Sequence, residues 1–102
     1  MYKEVDIMRF EWDVKKEEIN IKKHKIDFTT AAYVFDDENR IELFDNNHSA
    51  NEDRYITIGI VNKIAVIVSV VYTERGEKIR LISARKATAT ERRMYYDDSK
   101  RY

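Results

Sequence analysis

The sequence predicts an α+β domain in which two N-terminal helices pack on a four-stranded antiparallel sheet, with a short N-terminal strand before them and a C-terminal helix after the sheet. Three observations predict it. Apolar residues recur at helical spacing at Phe28, Ala31, Ala32 and Phe35. β-branched and aromatic residues then crowd the stretch from Tyr55 to Ala84, interrupted by turn residues. Directly after it, Thr88-Ala89-Thr90-Glu91 has the spacing of a capping box, which opens a helix.

Taken in order, a short strand precedes Asp13, whose carboxylate can accept from the partnerless first N–H groups of a helix running from about Val14 to Lys25. Trp12 and Val14 pack its beginning. On that helix Asn20, Lys23 and His24 are three and four residues apart and share a face. Asp27 is a second capping candidate, and the stripe that follows it gives a short helix one face to bury. The chain has no proline and two glycines, so most turns rest on Asp36-Asp37, Asp45-Asn46-Asn47 and Asn62-Lys63. Arg40 to Phe44 is a weak edge strand. Ile56, Ile58 and Ile60 alternate with Tyr55, Thr57 and Gly59, whereas Ile64 to Tyr72 is almost continuously apolar, as a central strand buried on both sides is. Ile79 to Ala84 is the last strand, entered through Gly76, which can supply the positive φ of a hairpin turn. The final helix runs to about Asp98.

At 102 residues the chain is expected to form a single domain with one modest core. Charged residues make up 37% of it, above the roughly 25% of ordinary globular domains, yet the 43% hydrophobic fraction suffices for that core. Net neutrality conceals an asymmetry: residues 1–50 carry 8 basic and 12 acidic residues, a net of −4, and residues 51–102 carry 11 and 7, a net of +4. Without cysteine there are no disulfides, thiolate nucleophiles or cysteine-ligated metals. No apolar run approaches the roughly 18 residues of a membrane span, and the first residues lack the apolar stretch of a secretory signal. A cytoplasmic protein without membrane contact is the expectation, with residues 1–7 as an N-terminal extension.

The positive half is concentrated. From Arg75 to Arg93 the basic residues are Arg75, Lys78, Arg80, Arg85, Lys86, Arg92 and Arg93, against Glu77 and Glu91, so 7 − 2 = +5. Arginine is a permanent charge with a planar fork of donors that matches phosphate, so this run suits a nucleic-acid backbone or a phosphoryl transition state. RNA can be cut without a metal if one group removes the 2′-hydroxyl proton, another protonates the leaving 5′-oxygen, and cations hold the charge on phosphorus. Arg75, Arg80 and Arg85 are the candidate clamps, Glu74 a candidate base, and Lys23 and His24 candidate acids or bases. Asn20, Tyr72, Thr73, Ser83 and Lys86 are candidate substrate contacts. Strict alternation groups Arg80 with Ile82 and Ala84, and Arg85, five residues on, converges with Arg80 only if the strand bends or ends first. Structural roles stay open: Arg80 can pair with Glu11 or Asp13, His24 can be a surface histidine, and Tyr72 can belong to the core. His24 and His48 are too isolated for a metal site, and no cofactor motif is present.

Thr73-Glu74-Arg75-Gly76 with Arg80, and Ile82-Ser83-Ala84-Arg85-Lys86-Ala87-Thr88, resemble segments of the BrnT family of bacterial type II toxins. Phe10-Glu11-Trp12-Asp13, Asn20-Ile21-Lys22-Lys23-His24, Phe35-Asp36-Asp37 and Arg54-Tyr55-Ile56-Thr57-Ile58-Gly59 extend the likeness over roughly Met8 to Tyr95. The resemblance implies a RelE/ParE-like fold, a ribonuclease that inhibits growth, and a BrnA-type antitoxin. That antitoxin is a ribbon-helix-helix protein forming a hetero-oligomer with the toxin, through which alone DNA is reached. Two other functions stay open: a non-catalytic member of the superfamily that binds a protein target such as gyrase, and a co-repressor acting only through its antitoxin.

Overall fold

Asp13, Asp27 and Thr88 each begin a helix, and in each case the expected side chain closes the end. The computed structural model describes residues 9–48 and 51–99; the extension at residues 1–7 lies outside them. The Asp13 carboxylate accepts from the Lys16 N–H at 3.1 Å and opens α1 (Val14–His24). Lys25 ends it in the left-handed region at φ 64°, its N–H donating back to the Ile21 carbonyl at 2.8 Å. Asp27 accepts from both the N–H and the hydroxyl of Thr30, opening α2 (Phe28–Ala32), which tightens into a 3₁₀ turn over Tyr33–Asp36. Thr88 and Glu91 exchange bonds of 3.1 and 2.9 Å at the start of α3 (Ala89–Ser99).

The sheet has five strands, not four: β1 (Phe10–Trp12), β2 (Ile41–Phe44), β3 (Tyr55–Val61), β4 (Val66–Arg75) and β5 (Lys78–Lys86), in the order β1-β5-β4-β3-β2. Strands β2 to β5 form the expected antiparallel meander. The correction concerns β1, which pairs in parallel with β5 through Phe10↔Ile79, Glu11↔Arg80 and Trp12↔Leu81, making the sheet mixed. Without it β5 would expose a row of unpaired backbone groups along the sheet edge. Pairing between the two ends of a chain leaves no local trace in sequence.

Strand β4 starts at Val66, two residues later than expected. Ala65 takes φ 56° and donates to the Asn62 carbonyl at 3.1 Å, so Ile64 and Ala65 belong to the β3–β4 turn. Gly76, at φ 62°, makes the β4–β5 turn as anticipated. Gly59 has a different use. A Cβ there would come within 2.9 Å of both the Arg40 Cβ and an Asp37 carboxylate oxygen. The bare backbone lets Asp37 reach the Ile60 N–H at 2.8 Å, where β3 runs past the end of β2.

Helices α1 and α2 cover one face, over a core that includes Phe10, Phe28, Val34, Val68, Val70, Tyr72, Leu81 and Ala84. On the other face α3 seals only a patch, where Tyr95 and Ala87 meet Ile58 and Ile67. No helix among the described residues is long and apolar enough to cross a membrane.

Candidate active site

Side chains directly opposite one another on antiparallel strands project to the same face. Val70 lies opposite Ala84, and Tyr72 opposite Leu81, so Ala84 and Leu81 share the helix-covered face although they are three positions apart. The register slips between Val71 and Tyr72, where Ile82 is the extra residue of a β-bulge. One consequence follows for the cations. Thr73 lies opposite Arg80, Val71 opposite Ser83 and Ser69 opposite Arg85, so all three β5 residues project to the face that α3 only partly covers. Strict alternation separates Arg85 from Arg80 unless the strand is irregular, and the bulge is that irregularity, because it resets the parity.

Along β4 the positions opposite Arg80 and Arg85 are four residues apart, about 13 Å at strand rise, with Ser83 midway. Ser83 also borders a shallow groove of about 190 Å³ between β5 and α1, lined by Lys23, His24, Ile19 and Ile82. Lys23 is exposed and His24 half-buried, so the rim of this groove carries two of the three proton-transfer candidates beside Ser83. Ser83 thus belongs to both sets: it shares the face of Arg80 and Arg85 and borders the groove of Lys23 and His24.

Both arginines are braced by carboxylates. Arg80 donates through Nε to Glu11 on β1 at 3.2 Å, the partner its cross-strand register provides. Arg85 donates through its two terminal nitrogens to the two oxygens of Glu91 at 2.8 and 2.9 Å. The Glu91 carboxyl is held below its ordinary value, chiefly by this bond from Arg85 and against the opposing effect of burial, and Arg85 is correspondingly raised.

Other anticipated residues are tied up in the fold or lie elsewhere: Asn20 lines the groove and Thr73 lies opposite Arg80, but both are buried and bonded. Asn20 is buried with its amide fully engaged: Nδ2 donates to the Ala84 carbonyl at 2.8 Å and the Ile26 carbonyl at 3.0 Å, while Oδ1 accepts from the Ala84 N–H at 3.0 Å. It acts as a one-residue substitute for a neighbouring strand beyond the end of β1, leaving nothing for a phosphate. Tyr72 is a core residue, packed against Phe35 and Tyr55 with its hydroxyl bonded to Glu42, so it offers no stacking surface. The buried Thr73 hydroxyl donates to the Asp53 carbonyl at 2.6 Å. Glu74 lies opposite Ile79 and so projects toward the helix-covered face, away from Arg75, which lies opposite Lys78. Arg75 is six residues from the position opposite Arg85, about 20 Å along the strand. It borders a separate cleft of about 530 Å³ with Glu74, Glu52, Asp53 and Tyr55. Lys86 is exposed but lies opposite Val68, on the other face from Arg85.

Among the described residues no group of three His, Asp or Glu is placed to hold a metal ion. The side chain of His48 lies outside the described residues.

A family model of the ribonuclease toxin BrnT, of type II toxin–antitoxin systems, matches residues 12–91. The chain belongs to the BrnT family. Among curated proteins none matches it. The matched span begins at Trp12 and ends at Glu91, so it takes in the whole neighbourhood around Ser83 as well as the carboxylate that grips Arg85. BrnT proteins being ribonuclease toxins of type II systems, the family implies an RNA target and an antitoxin partner. Sequence reasoning missed the bond of Glu91 to Arg85 and the lining residues Ile19 and Ile82. The capping box marked Glu91 as a helix residue only; its bond to Arg85 crosses a strand-to-helix junction for which no periodic pattern exists.

Proposed function

We propose that this BrnT-family chain is a metal-independent endoribonuclease whose scissile phosphate sits over Ser83, between Arg80 and Arg85 and beside Lys23 and His24. The β-bulge at Ile82 carries the proposal, because it alone puts the two arginines and the serine on one open face. In the reaction a base at the groove rim, His24 or Lys23, takes the 2′-hydroxyl proton. The 2′-oxygen attacks phosphorus, and the 5′-oxygen leaves with a proton from the other rim group, giving a 2′,3′-cyclic phosphate. Arg80 and Arg85 hold the charge that builds on the phosphoryl oxygens, and Ser83 donates to one of them. Arg75 and Lys78, further along the same face, contact the flanking backbone. On this reading the chain is a RelE/ParE-like toxin working in the cytoplasm, supported for the fold class by an α+β arrangement with two helices on one face of the sheet and a C-terminal helix on the other. Its inhibitor is a BrnA-like ribbon-helix-helix antitoxin, which links the toxin to DNA.

The test is cleavage of RNA by the purified chain in EDTA, with analysis of the upstream fragment. A cyclic phosphate is expected. Arg80→Ala and Arg85→Ala should each lower kcat by roughly 10²–10³-fold, the range for removing one preorganised donor. The exposed Arg93 on α3 serves as the control for substitution by Ala. Cleavage abolished by EDTA and restored by magnesium would defeat the mechanism, and an inert chain that still binds an antitoxin would favour a non-catalytic toxin.

A further inference from the structure

We infer that Glu91 is a positioning residue for catalysis, gripping one edge of the Arg85 guanidinium so that its other edge is presented to the RNA phosphate. The inference rests on the reading of Arg85 as a phosphate clamp and adds the device that aims it. A guanidinium has five N–H donors arranged as two bidentate edges. Glu91 takes one hydrogen from each terminal nitrogen, and the Lys86 carbonyl takes the second hydrogen of Nη1 at 3.2 Å. Two donors remain, Nε–H and the second hydrogen of Nη2. These lie side by side and form the second fork, spaced for two phosphoryl oxygens.

The exposures match this division of labour. The Arg85 side chain is 40% exposed and that of Glu91 17%, so the gripping carboxylate is covered while the guanidinium still meets solvent. Glu91 is itself fixed. Its Oε1 accepts from the Thr88 backbone N–H at 2.9 Å, a bond independent of the Thr88 side chain, while the Glu91 N–H donates to the Thr88 hydroxyl at 3.1 Å and so closes the helix end. A long, rotamer-rich arginine on the rim of a sheet loses the freedom that would otherwise blur its fork.

A carboxylate kept only to end a helix makes different predictions from one that aims an arginine. Glutamine at the third helical position also serves a capping box, so Glu91→Gln keeps the cap but loses the charged two-oxygen grip. Thr88→Ala does the reverse. Steady-state cleavage and melting curves would be measured for Glu91→Gln, Thr88→Ala, Arg85→Ala and the Glu91→Gln/Arg85→Ala double variant. Glu91→Gln should lower kcat by about 10–100-fold, the effect of misplacing a reacting group by about 1 Å. Its KM should stay within about twofold and its Tm near that of the parent, since the loss is one of orientation in the transition state. Thr88→Ala should lower Tm and keep kcat. The double variant should be no slower than Arg85→Ala alone, because without the arginine there is nothing left to aim. An impaired Arg85→Ala beside a fully active Glu91→Gln would overturn the inference while sparing the clamp. So would losses that multiply in the double variant, or a Glu91→Gln defect matched by a fall in Tm. An Arg85→Ala variant as active as the parent would remove the clamp, and Glu91's part with it.

Discussion

Asn20 shows how a single residue can look functional in sequence and be structural in space. It shares a helix with Lys23 and His24, but its amide makes three buried bonds to the backbone of Ala84 and Ile26. Asn20→Ala should therefore cost about 2–4 kcal/mol in denaturant unfolding, because buried donors and acceptors lose their partners together. A variant of parental stability would show that water replaces the amide. The capping residues behaved differently: Asp13, Asp27 and the Thr88/Glu91 pair were legible because each bond closes within three residues, whereas Asn20 and Ala84 are 64 positions apart. The caps also set an acid limit. Burial works against ionised Asp27, but its bonds from the Thr30 hydroxyl and N–H outweigh it, and its carboxyl ends below the ordinary value of 3.8. A carboxyl with a depressed folded value binds protons more readily in the unfolded chain. It contributes stability that is complete above that ordinary value and is lost as pH falls through the lower folded one. Melting temperature should thus decline below about pH 4, and an Asp27→Ala variant, less stable at neutral pH, should show a shallower decline. Equal slopes for parent and variant would assign the acid limit to other groups.

At the scale of elements, the helices and the four meander strands could be read from periodicity, and two features could not. The bulge at Ile82 falls inside a run, Ile79-Arg80-Leu81-Ile82-Ser83-Ala84, that reads equally well as a regular strand. What selects it is packing: Leu81 and Ala84 must both reach the core under α1 and α2, which an unbroken alternation forbids. The attachment of α3 was equally hidden. Its hold on the sheet includes the hydroxyl of Tyr95, which donates to Asp37 at 2.7 Å across the sheet edge beyond β2. Burial, and then the neighbouring Asp37 carboxylate, push this hydroxyl well above the ordinary tyrosine range, so it stays protonated as a donor. Tyr95→Phe keeps the ring in its cluster and deletes that bond, and should cost about 1.5–3 kcal/mol, the range for bonds to charged partners. Amide exchange in α3 should accelerate more than in β3 and β4. Uniform acceleration throughout the domain would mean that α3 does not open separately from the sheet.

For the whole molecule, the arrangement of layers leaves a basic face open. Helices α1 and α2 bury one side of the sheet, and α3 covers the other only around Ile58 and Ile67. The exposed remainder carries Arg75, Lys78, Arg80 and Arg85, with Lys23 at its rim, in a chain of zero formal net charge. Glu11 and Glu91 pair with Arg80 and Arg85. Like charges gathered on one surface are tolerated in water but repel until an anion or an oppositely charged partner lies over them. The antitoxin that the family implies is expected to be that cover, bringing acidic side chains to the arginines and apolar ones to Ile19, which is 62% exposed beside the groove. The complex should then be inactive toward RNA and more stable than the free toxin. A ligand that binds only the folded state adds RT ln(1 + [L]/Kd), about 4 kcal/mol at a thousandfold excess over Kd. Part of the attraction is electrostatic, so association should slow as salt rises. Hydrogen exchange on the free chain and on the complex tests the geometry: protection is expected along β5 and the exposed side of α1. Protection confined to the β2 edge, with β5 unchanged and cleavage still blocked, would place the inhibitor away from the site and require it to act by moving Arg85 or Lys23 instead.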